Sequence, residues 1–461
     1  MSSRPKTEIQ PRQVASSALA ACLVDAVPPL TPTQALLEAE RCLYCFDAPC
    51  AQACPTQIDV PSFIRRIADG NLRGAAQTIL DANPLGGMCA RVCPTEDLCE
   101  KVCVRNTQQG QPVAIGRLQR HAVDALMHSL RPKVFQRAAP TGRRVAVLGA
   151  GPAGLACAHT LARIGHDVEM FDARAKPGGL NEYGLAAYKT ADDFAQKEAA
   201  WLLGIGGIAV YNGWRLESAL QLQALRDEFD AVFLAIGLDD THSLGIPGEM
   251  LEGVRDAVDF IAALRQARHL EEIPLGRRVV VIGGGMTAVD AAVQASLLGA
   301  EQVTMVYRRG ESSMSASKDA QHWAQTHGVT IRHWLSPVEV FGTHGKVQAL
   351  RFARQTVQDG RLVPTGETET LEADMVLKAI GQTLGNPWLR DAGLELAQGR
   401  IVVDEQGRTS LPGVWAGGDC VGGLELTVEA VEHGKRAAHS IHAQLSATRR
   451  AAAQQRGVAH G

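Results

Sequence analysis

Residues Val145 to Leu148 form a short, unbroken apolar run that enters a glycine-rich turn, after which apolar positions recur at helical spacing at Leu155, Cys157, Leu161 and Ala162. The next run, Asp167 to Phe171, alternates polar and apolar residues and closes at Asp172. Strand, tight turn, helix and second strand together make one βαβ unit. The same grammar returns at Arg278, where Val279 to Ile282 precede three glycines, a helical stretch from Ala288 to Leu298 and a second strand from Val303 to Tyr307. Near the C-terminus Val414 to Ala416 lead into another glycine pair and a helical pattern from Thr427 to Ala438, with a short Ala-, Gln- and Arg-rich tail beyond it. These patterns predict an α/β fold with two Rossmann-like domains, the second (276–379) inserted in the first (141–275 and 380–461). The Pro- and Arg-rich stretch from Arg131 to Arg144 separates them from a front segment, 1–140, of different texture.

The turns carry chemistry. Gly149-Ala150-Gly151-Pro152-Ala153-Gly154 is a G-x-G-x-x-G between strand and helix, where glycines let backbone N–H groups approach a pyrophosphate at the helix N-terminus. Asp172 closes the second strand, placed to bond a ribose 2′-OH, and Gly178-Gly179 follows. Downstream, Gly417-Gly418-Asp419 sets an acid beside glycines at a strand end, where it can bond a ribityl hydroxyl, and the helix starting at Thr427 turns its positive end to phosphate or a flavin carbonyl. Together the two features point to FAD at the first site.

The second fingerprint, Gly283-Gly284-Gly285-Met286-Thr287-Ala288, is the G-x-G-x-x-A variant. Its second strand ends in Tyr307-Arg308-Arg309, where NAD binding would call for an acid. Guanidinium groups suit a 2′-phosphate, so the residues lean toward NADP, against the alternative of a solvated strand end.

With 461 residues, the chain suits roughly three domains of about 100 to 200 residues. Apolar residues make up 46% and charged residues 21%, with mean hydropathy near zero, so sizeable cores can form. Forty-six basic against 49 acidic residues leave a net charge of -3 and no basic field for nucleic acid or anionic lipid. No apolar run approaches the roughly 20 residues that span a bilayer, and residues Met1 to Leu30 lack the layout of a secretory signal. A cytoplasmic protein is expected. Eleven cysteines, nine of them before residue 110, then argue for metal ligation over disulfides.

Those cysteines fall in two blocks, Cys42-x2-Cys45-x4-Cys50-x3-Cys54-Pro55 and Cys89-x3-Cys93-Pro94-x4-Cys99-x3-Cys103. Iron–sulfur clusters need thiolates converging from short, turn-rich spacings, and a closing Cys-Pro is a ferredoxin-like cue in which the fourth cysteine serves the other cluster. Two zinc sites or buried thiols are the alternative, since a Cys-x2-Cys pair alone also suits zinc. Cys22, Cys157 and Cys420 stand outside the spacing and read as ordinary thiols. The 14 histidines show no H-E-x-x-H spacing, and no G-x-S-x-G elbow is present.

From Arg41 to Ala438 the chain resembles the small, electron-input subunits of dihydropyrimidine dehydrogenase, within the wider family of glutamate synthase small subunits. The resemblance lies in Asp47-Ala48-Pro49-Cys50, Asn83-Pro84-Leu85-Gly86, Val92-Cys93-Pro94-Thr95, Ile115-Gly116-Arg117-Leu118-Gln119, both fingerprints and Gly418-Asp419-Cys420-Val421-Gly422. Glutamate synthase small subunits typically carry Glu where this chain has Gln119. The resemblance implies an N-terminal all-α domain with two [4Fe–4S] clusters, one held by Cys42, Cys45, Cys50 and Cys103, the other by Cys54, Cys93, Cys99 and Gln119, with Cys89 spare. It further implies FAD contacts from Gly149 to Gly154, Asp172, Gly179, Lys189, Gly418, Asp419 and Thr427, and NAD(P)H contacts from Gly283, Gly285 to Ala288, Arg308 and Arg309. Where relatives using NADPH often place a further arginine, this chain has Ser315, which weighs against NADP. The implied chemistry is hydride transfer from NAD(P)H to the flavin, followed by electron flow through the clusters to a separate FMN- and iron–sulfur-containing chain that reduces uracil or thymine, in a hetero-oligomer. The alternatives are electron input to glutamate synthase and a redox sensor.

Overall fold

The computed structural model describes Leu19 and residues 23–458, with side chains described as far as residue 447, so the reading of Cys22 as an ordinary thiol lies outside the described residues. The chain divides into two compact units. One comprises Val27–Glu182, Asp192–Asp240 and Thr383–Gly461; the other comprises Tyr183–Ala191 and Thr241–Gln382 with the described residues before Val27.

The first unit opens with five helices of seven or more residues, α1 (Pro32–Glu40), α2 (Val60–Ala68), α3 (Leu72–Ala82), α4 (Gly86–Val92) and α5 (Ile115–Met127), and two single-turn helices, Pro49–Gln52 and Arg105–Gln109. Their starts are written in the sequence. Thr31, Asp59 and Asn71 each turn a side-chain oxygen onto a first-turn N–H, and Thr31 forms a full capping box with Gln34. In α2 the buried residues Val60, Phe63, Ile64 and Ile67 fall on one face and meet Ile79 and Leu80 of α3 and Leu118 of α5 in a shared core. Each such side chain contributes roughly 1.5–3 kcal/mol on burial. Seven of the eight block cysteines sit between these five helices, Cys42 to Cys54 joining α1 to α2 and Cys93 to Cys103 joining α4 to α5, while Cys89 lies within α4.

A parallel sheet follows, from β1 (Arg144–Leu148), α6 (Pro152–Ile164), β2 (Asp167–Asp172), α7 (Phe194–Leu203), β3 (Ile208–Asn212) and β4 (Ala231–Leu234). The chain then leaves for the second unit. There β5 (Val254–Asp256), α8 (Ala257–Gln266), β6 (Arg278–Ile282), α9 (Met286–Leu297), β7 (Gln302–Tyr307), α10 (Lys318–Thr326) and β8 (Val329–His333) are followed by an antiparallel meander, β9 (Leu335–Thr343), β10 (Lys346–Gln358) and β11 (Arg361–Glu372), and by β12 (Met375–Lys378). The parallel strands here run in the order β5-β12-β6-β7-β8.

The chain returns as β13 (Val414–Ala416), completing the first sheet in the order β13-β4-β1-β2-β3. The α/β order with one sheet inserted in the other is the one the sequence predicts, and β5 and α8, expected in the first domain, pair and pack with the second sheet. The last helix, α11 (Thr427–Val458), does not stop at Ala438. No Gly or Pro interrupts residues 435–456, and the Ala-, Gln- and Arg-rich stretch expected as a tail is made of strong helix formers. All strands of the first sheet point the same way, with Leu148, Leu234 and Ala416 in register. The loops after β1 and β13 therefore emerge at one carboxyl edge, where open parallel sheets bind ligands.

Candidate functional site

At that edge β1 delivers the chain into Gly149, whose φ of 104° lies in the left-handed region. A Cβ on Gly149 would meet Ala235 O at 2.1 Å, and one on Gly154 would meet Gly149 O at 1.9 Å. Gly151 differs. It starts α6 without a side-chain cap, and a Cβ there would find only Gly179 Cα at 3.7 Å. The fingerprint thus offers unsatisfied first-turn N–H groups and open space, a cradle for a pyrophosphate.

Asp172 binds this loop together. Its Oδ2 accepts from Ala150 N–H at 2.6 Å and its Oδ1 from Arg174 N–H at 2.7 Å, while burial holds the carboxyl above its ordinary value despite both donors. Gly178 N–H closes the other side on Ala150 O at 2.7 Å. After β13, burial, reinforced by Glu425, pushes the Asp419 carboxyl up to about 6. No described residue donates a hydrogen bond to it, so a ligand hydroxyl would satisfy it. Gly418 precedes it with a φ of 77°, and Thr427, which opens α11, donates its hydroxyl to Asn181 Oδ1 at 2.9 Å. Open anion-binding backbone beside an unsatisfied acid fits the phosphates and ribityl chain of a flavin dinucleotide.

In the second unit a Cβ on Gly283 would meet Ala379 O at 2.2 Å, and one on Gly284 the Tyr307 ring at 2.5 Å. Gly285 starts α9 and has only Ser315 Oγ near, at 3.2 Å from an added Cβ, so Met286, Thr287 and Ala288 follow an open helix end. Arg308 and Arg309 are exposed at the end of β7, and no described residue partners either guanidinium. Lys189, which the resemblance assigns to flavin, lies in this unit with its Nζ 2.6 Å from Asp290 Oδ1 of α9. Asp290 also accepts from the Tyr188 hydroxyl at 3.0 Å and from Ala186 N–H at 3.3 Å, and Gln294 accepts from Ala187 N–H at 3.0 Å. These two buried polar side chains fasten the segment Tyr183–Ala191 to the nucleotide helix. Sequence reading missed them; two polar residues on the inner face of an Ala-rich helix were the available signal.

In the helical front Cys42, Cys45, Cys50 and Cys103 line a single cavity, walled by Val60, Ile64, Val113 and Ile115. Burial pushes the Cys50 thiol up to about 11 and raises Cys42 as well. Cys89, Cys99 and Cys54 stand near enough to Cys93 to raise its thiol. The Cys93 thiol is held well above its ordinary value, first by a hydrogen bond with Cys89 and then by burial, and Cys99 is raised by burial. Burial alone accounts for raised thiols, and a cation bound among them would convert them to thiolates. Among the described residues no three His, Cys, Asp or Glu side chains converge on one ion. A cubane takes one thiolate per iron, so its ligands stand around a cavity, as the first four do. Gln119 is buried on α5, its Nε2 donating to Gly86 O at 2.6 Å, which leaves its amide oxygen as the atom able to face a metal. The start of α5 is held by two carboxylates: Glu38 Oε1 accepts from Ala114 N–H at 2.8 Å and Glu100 Oε1 from Gly116 N–H at 3.0 Å. Cys157 and Cys420 are buried away from these cysteines, in the cores around the first sheet.

Two nucleotide fingerprints on parallel sheets behind a cysteine-rich helical front define a flavin- and nicotinamide-dependent oxidoreductase with an iron–sulfur domain. The chain belongs to the pyridine nucleotide-disulphide oxidoreductase family, whose model matches residues 143–434, and residues 22–130 match dihydropyrimidine dehydrogenase domain II, 4Fe-4S cluster. It is 36% identical over 424 residues to the NAD-dependent dihydropyrimidine dehydrogenase subunit PreT of Salmonella typhimurium, covering 92% of this chain and 97% of that one. It is 34% identical over 442 residues to the glutamate synthase [NADPH] small chain of Escherichia coli K12, covering 91% and 93%. Among solved structures it is similar in fold to FprA of Mycobacterium tuberculosis, with a TM-score of 0.57 and 21% identity over 67% of this chain and 86% of that one. Among the described residues no helix is long and apolar enough to cross a membrane.

Proposed function

We propose that this chain is the electron-input subunit of a dihydropyrimidine dehydrogenase. It takes a hydride from NAD(P)H and passes electrons through two [4Fe–4S] clusters to a partner chain, where uracil or thymine gains two electrons and two protons across the 5,6 bond. The observation that carries the reading is the pairing of both fingerprints with a cysteine-rich helical front, in a chain matching a dihydropyrimidine dehydrogenase subunit over 97% of that subunit's length. Flavin supplies the step from two-electron to one-electron chemistry. The chain's own residues hold and orient. Gly151 and the start of α6 cradle phosphate, Asp172 fixes the loop beneath it, Asp419 takes a ribityl hydroxyl, and Gly285 with the start of α9 receives the nicotinamide dinucleotide. Cys42, Cys45, Cys50 and Cys103 would hold one cluster, and Cys54, Cys93, Cys99 and Gln119 the other. Input to a glutamate-forming large subunit is the second reading, favoured by the 34% identity to a glutamate synthase small chain.

The purified chain is expected to carry one FAD and about eight irons, from two four-iron sites, and to oxidise NAD(P)H with a dye acceptor while leaving uracil untouched. Uracil turnover by the chain alone would overturn the division of labour, and stoichiometric zinc without labile sulfide would replace the clusters. Assaying the chain with its co-purifying partner on uracil against 2-oxoglutarate and glutamine separates the two readings.

For the nicotinamide, Arg308 and Arg309 favour NADPH, since each could give a 2′-phosphate a charge-assisted bond worth roughly 1.5–3 kcal/mol. Replacing both by alanine is expected to lower the NADPH to NADH ratio of kcat/KM at least about tenfold. An unchanged ratio would make them a solvated strand end.

A further inference from the structure

One carboxylate removed from water has no part in the chemistry above. Glu198 of α7 is 1% exposed, and its oxygens accept from the first turn of α4: Oε1 from Gly87 N–H at 2.7 Å, Oε2 from Met88 N–H at 3.1 Å. The N-cap of α4 supplies no side-chain acceptor of its own. Space here is fully used, for a Cβ on Gly87 would lie 2.5 Å from Phe194 Cζ and 2.7 Å from Glu198 Oε1. The same turn carries two further ties. Gly86 O accepts from Gln119 Nε2 at 2.6 Å, and Gly87 O accepts from Arg91 Nη1 at 3.0 Å. Arg91 in turn pairs with both Asp124 oxygens, at 2.8 and 2.9 Å, and stacks 3.4 Å over the Phe194 ring. One turn of α4 thereby links α7, beside the flavin-type sheet, to the helix bearing Gln119, and Cys93 is the C-cap of α4 itself.

We propose that Glu198 is a positioning residue for electron transfer, seating the first turn of α4 and through it Gln119 and Cys93. The inference rests on the proposed flavin and cluster function. Its geometry has a physical cause: buried first-turn N–H groups need an acceptor, and the positive end of a helix favours an acidic one. Burial pushes the carboxyl up to about 8 against its two backbone donors and Arg91 on α4, with Asp124 on α5 acting in the same direction as burial. Arg120 faces the same cluster through Asp124 at 3.3 Å, and His159 on α6 meets α7 at Leu202 O, its ring nitrogen 3.0 Å away and its pKa lowered by burial to about 4. Because the folded value lies above the unfolded one, the native chain holds a proton that the unfolded chain has released between about pH 5 and 8. This group therefore makes stability fall as pH rises through that window. Glu198→Gln keeps an acceptor oxygen and removes the titration.

The test uses the full chain as purified with its cofactors, with flavin, iron and labile sulfide measured first. Absence of iron and sulfide from the wild type would sink the proposed function and leave nothing for Glu198 to position. With both present, Glu198→Ala is expected to keep flavin reduction by NAD(P)H, to alter the EPR signal of one cluster and to slow cluster reduction. Glu198→Gln is expected to restore the signal and the rate while flattening the dependence of Tm on pH between about 5 and 8. Wild-type EPR and cluster reduction in Glu198→Ala would overturn the proposal, as would Glu198→Gln behaving like Glu198→Ala. If Glu198→Ala does not fold, Glu198→Asp, whose shorter side chain draws the acceptor back from Gly87 N–H and Met88 N–H, takes its place, and wild-type EPR and cluster reduction in that variant overturn the proposal.

Discussion

Gly151→Ala is expected to leave a folded chain that has lost its flavin. The backbone at Gly151 has a φ of -76°, which alanine adopts without strain, and the new methyl would find no protein atom nearer than 3.7 Å. The fold should lose only the difference between glycine and alanine at a helix N-cap, about 1 kcal/mol or less, a shift of roughly 2–4 °C in Tm. The methyl would instead stand in the space that the phosphates need, where overpacking of about 1–3 kcal/mol corresponds to a 5- to 150-fold weaker complex, roughly. Gly154→Ala provides the contrast. Its methyl would lie 1.9 Å from Gly149 O, so the βα turn itself must move, and flavin and stability should fall together. Gel filtration followed by flavin absorbance per chain, with Tm in parallel, checks both. A Gly151→Ala chain that keeps stoichiometric flavin would show that nothing binds closely at that turn.

This contrast marks what was legible in the sequence. A glycine fingerprint is readable because its causes are local: a left-handed turn at Gly149 and contact between Gly149 and Gly154 are set within six residues. The insertion of one sheet within the other was readable for the same reason, since each βαβ unit announces itself. The allegiance of Tyr183–Ala191 was not. It depends on Asp290 and Gln294, about a hundred positions further along the chain, and nothing in the segment's own pattern names them. The meander from Leu335 to Glu372 was also missed; its burial alternates weakly, and β11 is mostly exposed, so the period-two signal is faint. The end of α11 was misjudged because polarity was read as tail, whereas Ala, Gln and Arg without a breaker simply continue the helix. In the front segment the two cysteine blocks were plain, but a block is not a site. Cys103 of the second block lines a cavity with three cysteines of the first, a grouping that spacing alone leaves open.

The eighth metal ligand is where this ambiguity has its largest consequence. Counting cysteines makes Cys89 the eighth; the family resemblance makes it Gln119. Both are buried, Cys89 one turn before Cys93 on α4 and Gln119 on α5 against the first turn of α4. Cys89 is 2% exposed and helps hold the Cys93 thiol above its ordinary value, and Gln119 is 7% exposed with its amide nitrogen committed to Gly86 O. We propose a distinct part for each. If Cys93 is a ligand, a thiol beside it can act as an outer-shell donor, which tunes a cluster without binding it. An amide whose nitrogen is tied back to the protein presents its oxygen, a neutral donor poorer than thiolate, and leaves its cluster one negative charge lighter than an all-cysteine site. Cys89→Ala is therefore expected to retain both clusters, with a shifted potential for one. Gln119→Ala should perturb the EPR signal of one cluster and cost up to about half of the iron and labile sulfide, given four irons per site. Gln119→Glu restores an oxygen donor with its charge, and should recover the iron while lowering that cluster's potential. If Cys89→Ala loses about half the iron and sulfide while Gln119→Ala leaves both EPR signals unchanged, the cysteine count was right, and Gln119 serves only to hold α5 against Gly86.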